Sequence, residues 1–301
     1  MSLNSPICAP DRKNLQRKDK TCFTDGEVLQ LVTAYNKYVM DTVLSNKKEP
    51  YSSPIDTVGK SKIQLLSELR KRFKNVCNDN DYCITEQKFM HKITGGNLEN
   101  VFRPVGPKKS SEWLSTSDIN SVMKQYEKIY ADFYFIGAVP LNCDEINFCP
   151  SNSYDFDKLT DSGKRRFGIV FNHDRYGEPG SHWVALFMDD INGEISFCDS
   201  CGNPPIDNIK NVIRYFKKYY ESKYGKSPKY NENKRKYQRD DSECGIYSCN
   251  FIIRMLSGES FNSIVNNPLS FEKINSCRNV YFVNKPSKYK PDPKCDPVFN
   301  Q

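Results

Sequence analysis

The stretch Gln238–Cys249 and the apolar run that follows it constrain this chain more than any other segment. A polar loop ends at Cys244. Ile246, Tyr247, Cys249, Phe251, Ile252, Ile253, Met255 and Leu256 come next, apolar on nearly every side, and Ser257-Gly258 closes the run. A helix that is hydrophobic all round is a buried helix, and Gly258 is a natural stop. Cys244 therefore stands in the first turn of a core helix, where free N–H groups and the helix dipole favour an anion. A thiol held there is driven toward its thiolate, the nucleophilic form. On this helix alone a small buried hydrophobe is the simpler reading of Cys244. The rest of the chain must decide.

A chain of 301 residues allows one large domain, or one domain and a smaller one. Its 13% aromatic content argues against global disorder. No apolar run approaches the length of a membrane span. The first 20 residues carry Arg12, Lys13, Arg17, Lys18 and Lys20 and no apolar core, so no secretory signal is expected. Without export, the 12 cysteines are expected to be reduced thiols and not a disulfide framework. Cys198 and Cys201 make half of a zinc knuckle. The pairs Cys77/Cys83 and Cys143/Cys149 are too widely spaced to complete it, so neither a metal nor a cofactor is expected. There are three histidines, at 91, 173 and 182, and an imidazole base must be one of them.

Thr24, Asp25 or Thr21 can cap a helix starting near Glu27, with Val28, Leu29, Leu31, Val32, Tyr35, Tyr38 and Val39 on one face. Ile63, Leu65, Leu66, Leu69 and Phe73 mark a second helix. Glycines and prolines then break residues 93–111 into a loop. Ser117 or Thr116 caps a helix holding Ile119, Val122, Met123, Tyr126 and Ile129, and Phe133–Val139 reads as a strand. Phe167–Phe171 is a second strand and His182–Met188 a third. Asp190-Ile191-Asn192-Gly193 is a hairpin signal, followed by a return strand Glu194–Asp199. A turn centred near Ile191-Asn192 sets Asp199 opposite Val184, one diagonal step from His182. A slip of one residue would reverse that face.

Residues 208–239 contain an amphipathic helix with Ile209, Val212, Ile213 and Phe216 inward. They carry eleven Lys/Arg against two acids, with six interleaved tyrosines. The simpler reading is the solvated face of a covering helix and loop. The alternative is a surface that tracks a nucleic-acid backbone, with Lys217, Lys218, Lys234 and Arg235 as candidate contacts.

Acyl transfer by a thiol needs a thiolate, an imidazole, a group to orient that imidazole, and donors for the oxyanion. In chain order the sequence supplies His182, Asp199, Gln238 and Cys244. Cys244 comes last, which excludes a papain-like layout. Gln238 lies six residues before Cys244, close enough for its amide to serve the same oxyanion as the Cys244 N–H. His91 falls in the helical region and His173 in a charged loop, and both are expected at the surface.

With Trp113-Leu114, His182-Trp183, Asp199-Ser200, Gln238 and Glu243-Cys244-Gly245 in this order and spacing, residues 101–283 resemble the Ulp/sentrin-protease superfamily of cysteine peptidases. Arg278 and Phe282 fit that family's closing helix. Gly180-x-His182-Trp183-Val184-Ala185-x-Phe187, the Gly202-Asn203-x-Pro205 segment and the N-terminal extension are similar to the branch found in large DNA viruses, including the polyprotein protease of African swine fever virus. Some viral relatives have Asn in place of the acid, which makes Asn203 a reserve candidate for orienting His182. The approach Arg239-Asp240-Asp241-Ser242 departs from that of the cellular deconjugases.

The resemblance implies an α+β fold with a central mixed sheet carrying the nucleophile helix. It implies a helical extension over 1–100 and a protease domain over 101–283, and the Pro- and Lys-rich composition past Asn284 points to a disordered basic tail over 284–301. It implies a monomeric thiol endopeptidase, without a membrane, that matures viral structural polyproteins after Gly-Gly in the virion and the host cytoplasm. Trp113 and Trp183 are then substrate-binding, roofing a tunnel too narrow for a Cβ. Two alternatives stand: an isopeptidase for SUMO- or ubiquitin-like modifiers, and a non-catalytic nucleic-acid- or protein-binding module. Gly95-Gly96-Asn97 could itself be a cleavage site, though a loop turn explains it more simply.

Overall fold

The computed structural model describes residues 8–44, 53–94, 98, 100–143, 145–146 and 155–297. Gly95-Gly96-Asn97 and Cys149 lie outside them. The chain forms two compact units, Met1–Arg103 and Pro104–Gln301.

The first unit is helical among its described residues. Helix α1 (Asp25–Leu44) starts at Thr24, whose hydroxyl accepts the Glu27 N–H while the Glu27 carboxylate accepts the Thr24 N–H at 2.8 Å. This reciprocal cap satisfies two of the free donors at a helix start. Val28, Leu31, Val32, Tyr35, Tyr38 and Val39 are buried as the spacing predicts, whereas Leu29 is exposed. Helix α2 (Lys62–Arg72) is capped by Ser61 and buries Leu65, Leu66 and Leu69. Asp81 is sealed inside, held by two bonds from Arg70 and one from Thr21.

The second unit is α+β. Strands β1 (Phe133–Val139), β2 (Arg166–Asn172), β3 (Trp183–Asp189), β4 (Glu194–Cys198) and β5 (Lys229–Glu232) lie in that order in one sheet. β1 and β2 are parallel, β3 is antiparallel to β2 and β4, and β5 is parallel to β4. Alternation sorts β3 cleanly. Trp183, Ala185 and Phe187 face one core, and Val184, Leu186 and Met188 face the other. Helices α3 (Thr116–Tyr126) and α5 (Cys244–Leu256) cover the first face, and α4 (Asp207–Tyr224) covers the second. All 13 residues of α5 are buried, as an all-round apolar helix requires.

Ser115 caps α3, one residue ahead of the Thr116 or Ser117 expected, because its hydroxyl accepts the Asp118 N–H and Asp118 answers. β5 had no signal in the sequence: it is four polar residues at a sheet edge.

Two larger expectations are overturned. The cysteines are not all reduced: Cys8–Cys22, Cys77–Cys83 and Cys277–Cys295 are disulfides, with Cα atoms 5.2, 5.3 and 5.0 Å apart. Such approaches are set by folding and cannot be read from spacing. The described part of the expected tail, residues 284–297, is also not loose. Tyr281 Oη donates to the Cys295 carbonyl at 2.7 Å, Tyr126 Oη to Asp296 at 2.8 Å and Asn250 Nδ2 to the Lys294 carbonyl at 2.9 Å. Cys295 and Asp296 are buried, so this Pro- and Lys-rich stretch is part of the second unit.

Candidate active site

The hairpin carries two of the candidate residues to the same end of the sheet. Ala185 pairs with Cys198 across β3 and β4, so the next step brings Val184 opposite Asp199. His182 stands just before β3 and Asp199 just after β4. His182 Nε2 lies 2.6 Å from Asp199 Oδ1, which leaves the other ring nitrogen for Cys244, whose side chain is within hydrogen-bonding reach. Cys244 is the first residue of α5 and almost fully buried.

The charges follow from these contacts. Burial alone would push the His182 ring toward its neutral form, but hydrogen bonds to Asp199 and Cys244 outweigh it and raise the pKa from 6.5 to about 9. Burial would likewise raise the Asp199 carboxyl. Instead it is lowered by hydrogen bonds from His182, the Cys201 backbone and Asn203. The arrangement favours an imidazolium beside the Asp199 carboxylate.

Asn203 does not touch the imidazole. Its backbone N–H and its Nδ2 both reach Asp199 Oδ2, at 3.2 and 3.0 Å, so it braces the carboxylate. Gln238 is buried in the loop before Cys244. Its Oε1 accepts from Ser200 Oγ at 2.5 Å and its Nε2 donates to the Asp240 carbonyl at 2.6 Å. The loop thus ties the end of β4 to the start of α5.

The two tryptophans differ. Trp113 is 43% exposed, whereas Trp183 is 4% exposed and donates its indole N–H to the Leu114 carbonyl at 2.9 Å. Leu114 in turn packs on Gly245, where a Cβ would sit 3.0 Å from the Leu114 Cβ. Trp183 therefore holds the Trp113-Leu114 segment against the start of α5.

Lys217, Lys218, Lys234 and Arg235 are all exposed, the first pair on α4 and the second in the loop leading to Gln238. Of the six tyrosines among them, only Tyr215 and Tyr230 are exposed; Tyr219, Tyr220, Tyr224 and Tyr237 pack inward.

His91 is at the surface, whereas His173 is half-buried. Its ring stands edge-on to His182 with centroids 5.1 Å apart, and its backbone N–H donates to the His182 carbonyl at 2.9 Å. β2 and β3 run past each other here, and only that pairing brings the two histidines together.

A sealed ion pair beneath the loop before α5 has no counterpart in the sequence pattern. Glu243 and Arg278 have fully buried side chains 3.2 Å apart. Asn275 Nδ2 donates to Glu243 at 2.8 Å, and Arg278 donates to the Ser242 carbonyl at 3.1 Å.

Comparison with known proteins agrees with this geometry. Residues 169–287 match the C-terminal catalytic domain of the Ulp1 protease family. The chain is 47% identical over 298 residues to a protein of Acanthamoeba polyphaga mimivirus provisionally named a thiol protease, across 97% of this chain and 98% of that one. It is 24% identical over 201 residues to a cysteine protease of African swine fever virus, covering 62% of this chain and 73% of the relative. The crystal structure of the African swine fever virus protease shares the fold, with a TM-score of 0.60 at 20% identity over 81% of this chain and 97% of that one.

Proposed function

The chain belongs to the Ulp1 protease family and is a cysteine peptidase, and from that premise we propose that it cleaves polypeptides after Gly-Gly during the maturation of viral structural polyproteins. The observation that carries this reading is the chain of contacts from Asp199 through the His182 ring to Cys244 at the start of a buried helix. In it, Cys244 attacks the scissile carbonyl as the thiolate. The Cys244 backbone N–H and the Gln238 amide receive the oxyanion, and His182 gives its proton to the leaving amine. Asp199 holds the ring in place and stabilises its cationic form. Water then hydrolyses the thioester, with His182 as base.

The exposed Trp113 indole, braced through Leu114 and Trp183, supports a substrate passage narrow enough to favour glycine. Virion and host cytoplasm are the setting this reading gives the enzyme, which acts as a monomer. Lys217, Lys218, Lys234 and Arg235 form a phosphate-tracking surface for non-specific DNA, without a stacking platform since four of the six tyrosines are packed.

The test is a cleavage profile on a peptide library, run beside ubiquitin-like probes. Replacing the P1 Gly by Ala is expected to cost more than any change beyond P4, and Trp113→Ala to relax that discrimination as well as the rate. Tolerance of large P1 residues would overturn the Gly-Gly reading. Turnover of SUMO-type probes well above that of Gly-Gly peptides would replace polyprotein cleavage with deconjugation. Replacing the four basic residues by Gln should weaken DNA binding at low salt.

A further inference from the structure

The two cysteines of the Cys198-x-x-Cys201 half-site part company in the fold. Cys198 is buried with its sulfur 3.0 Å from Tyr237 Oη. Cys201 is half-exposed and turns back over Asp199. The turn is tight: the Cys201 N–H donates to Asp199 Oδ1 at 2.8 Å and the Gly202 N–H to the Asp199 carbonyl at 2.8 Å. It is also clamped from outside. Gly202 has a φ of +76°, and a Cβ there would lie 2.6 Å from the Arg235 backbone. Cys201 is thereby fixed beside the carboxylate and the imidazole.

One candidate ligand from each of His182, Asp199 and Cys201 lies within 4.8 Å of the other two. Tetrahedral zinc, with bonds of about 2.0–2.3 Å, needs donors roughly 3–4 Å apart, so side-chain adjustments on the order of 1 Å close the site. A nitrogen, an oxygen and a sulfur donor together suit Zn2+ or Co2+, and the thiol disfavours Mg2+ and Ca2+. Asn203 already holds the second carboxylate oxygen, the kind of outer hydrogen bond that fixes a ligand's direction.

We infer that His182, Asp199 and Cys201 form an inhibitory site for a thiophilic divalent cation, Zn2+ being the natural probe, which switches the peptidase off from behind its own imidazole. Binding at Nε2 displaces the proton shared with Asp199, and the Cys201 thiol loses its own. Both protons go to solvent. A ring that carries the metal on Nε2 cannot also be the imidazolium that faces Cys244. The nucleophile itself need not touch the metal, which separates this site from simple capture of a cation by Cys244 and His182. The inhibitory consequence rests on the proposed role of His182; the binding does not.

The experiment uses the full chain with its disulfides intact, in buffer free of thiol reductant. Cys244→Ala is titrated with Co2+, and a thiolate-to-cobalt charge-transfer band with tetrahedral d–d absorption is expected. Cys201→Ser or Cys201→Ala in the same background, shown folded by circular dichroism, is expected to lose the band and bind on the order of tenfold or more weakly. In the peptidase with Cys244 present, Cys201→Ser is expected to need about tenfold more Zn2+ for half-inhibition. Absence of the band in Cys244→Ala, or its persistence without Cys201, would overturn the site. Equal zinc sensitivity with and without Cys201 would overturn the switch. A cobalt site in a chain that cleaves nothing would sink the proposed function and leave the site standing.

Discussion

Asp199 and Glu243 are both fully buried carboxylates, one bonded to His182 and one next to Cys244, and their surroundings treat them in opposite ways. Asp199 receives His182, the Cys201 N–H and two donors from Asn203, and these hold its carboxyl below the ordinary range despite burial. Glu243 has Arg278 and Asn275, and there burial wins and pushes the carboxyl up. The partners differ too. The His182 side chain keeps 15% of its surface in solvent, whereas that of Arg278 keeps none. In the proposed mechanism Asp199 must stay anionic while His182 gains and loses a proton, and it has surplus donors and a partner near the surface. One that only has to hold a loop is sealed with a cation that never titrates.

The comparison predicts two kinds of loss. On the Asp199 side, Cys244→Ala and His182→Ala should remove turnover on the order of 10^4-fold or more, since the members act as a unit, with circular dichroism unchanged. Asp199→Ala should cost less than His182→Ala, because it orients the ring and breaks no bond. If Asn203→Ala proved the more damaging of the two, the assignment of Asp199 would fall.

On the Glu243 side, Arg278→Met should destabilise by about 3–5 kcal/mol, because it leaves a buried charge without its partner. Denaturant unfolding would read it. Adding Glu243→Gln should recover much of that loss, as removing both charges abolishes the uncompensated one. Activity per folded molecule should fall far less than in His182→Ala. An Arg278 variant that is fully stable but dead would erase the distinction between the two pairs.

Cys277 adjoins Arg278, and its bond to Cys295 spans 18 residues. Replacing both cysteines with Ala should cost about 3 kcal/mol by releasing that loop in the unfolded chain. A change below experimental error would return the C-terminal segment to the loose tail expected of its composition.

The smallest effect is in pH. The folded His182 value of about 9 lies above the ordinary 6.5, so its imidazolium contact contributes fully to stability below pH 6.5. The contribution is lost as pH rises through about 9. The melting-temperature gap between wild type and His182→Ala should close across that window, and kcat/KM should fall above it. A gap that widened with pH would reverse the assigned charge state.

Much of this was local and therefore legible. The all-round apolar run after Cys244, the alternation along His182–Met188 and the Asp190–Gly193 turn put Cys244 on a buried helix and pointed to His182 near Asp199, since period and turn chemistry are properties of neighbouring residues; the register of the pairing stayed open until the fold. Even so, the cap of α3 moved by one residue and β5 left no trace, because edge strands owe their pairing to a neighbour and not to their own pattern.

Neighbouring residues alone set the order of the candidate chemistry: an imidazole at a strand start, an acid at the next strand's end, a thiol at the head of a buried helix. Folding set which distant residues serve them. Glu243 and Arg278 are 35 residues apart, His173 reaches His182 through strand pairing, and Cys201 parts from Cys198 because a loop more than thirty residues later clamps Gly202. The three disulfides belong to the same class. A cysteine's spacing along the chain says nothing of its approach in space, and that approach is set by packing alone.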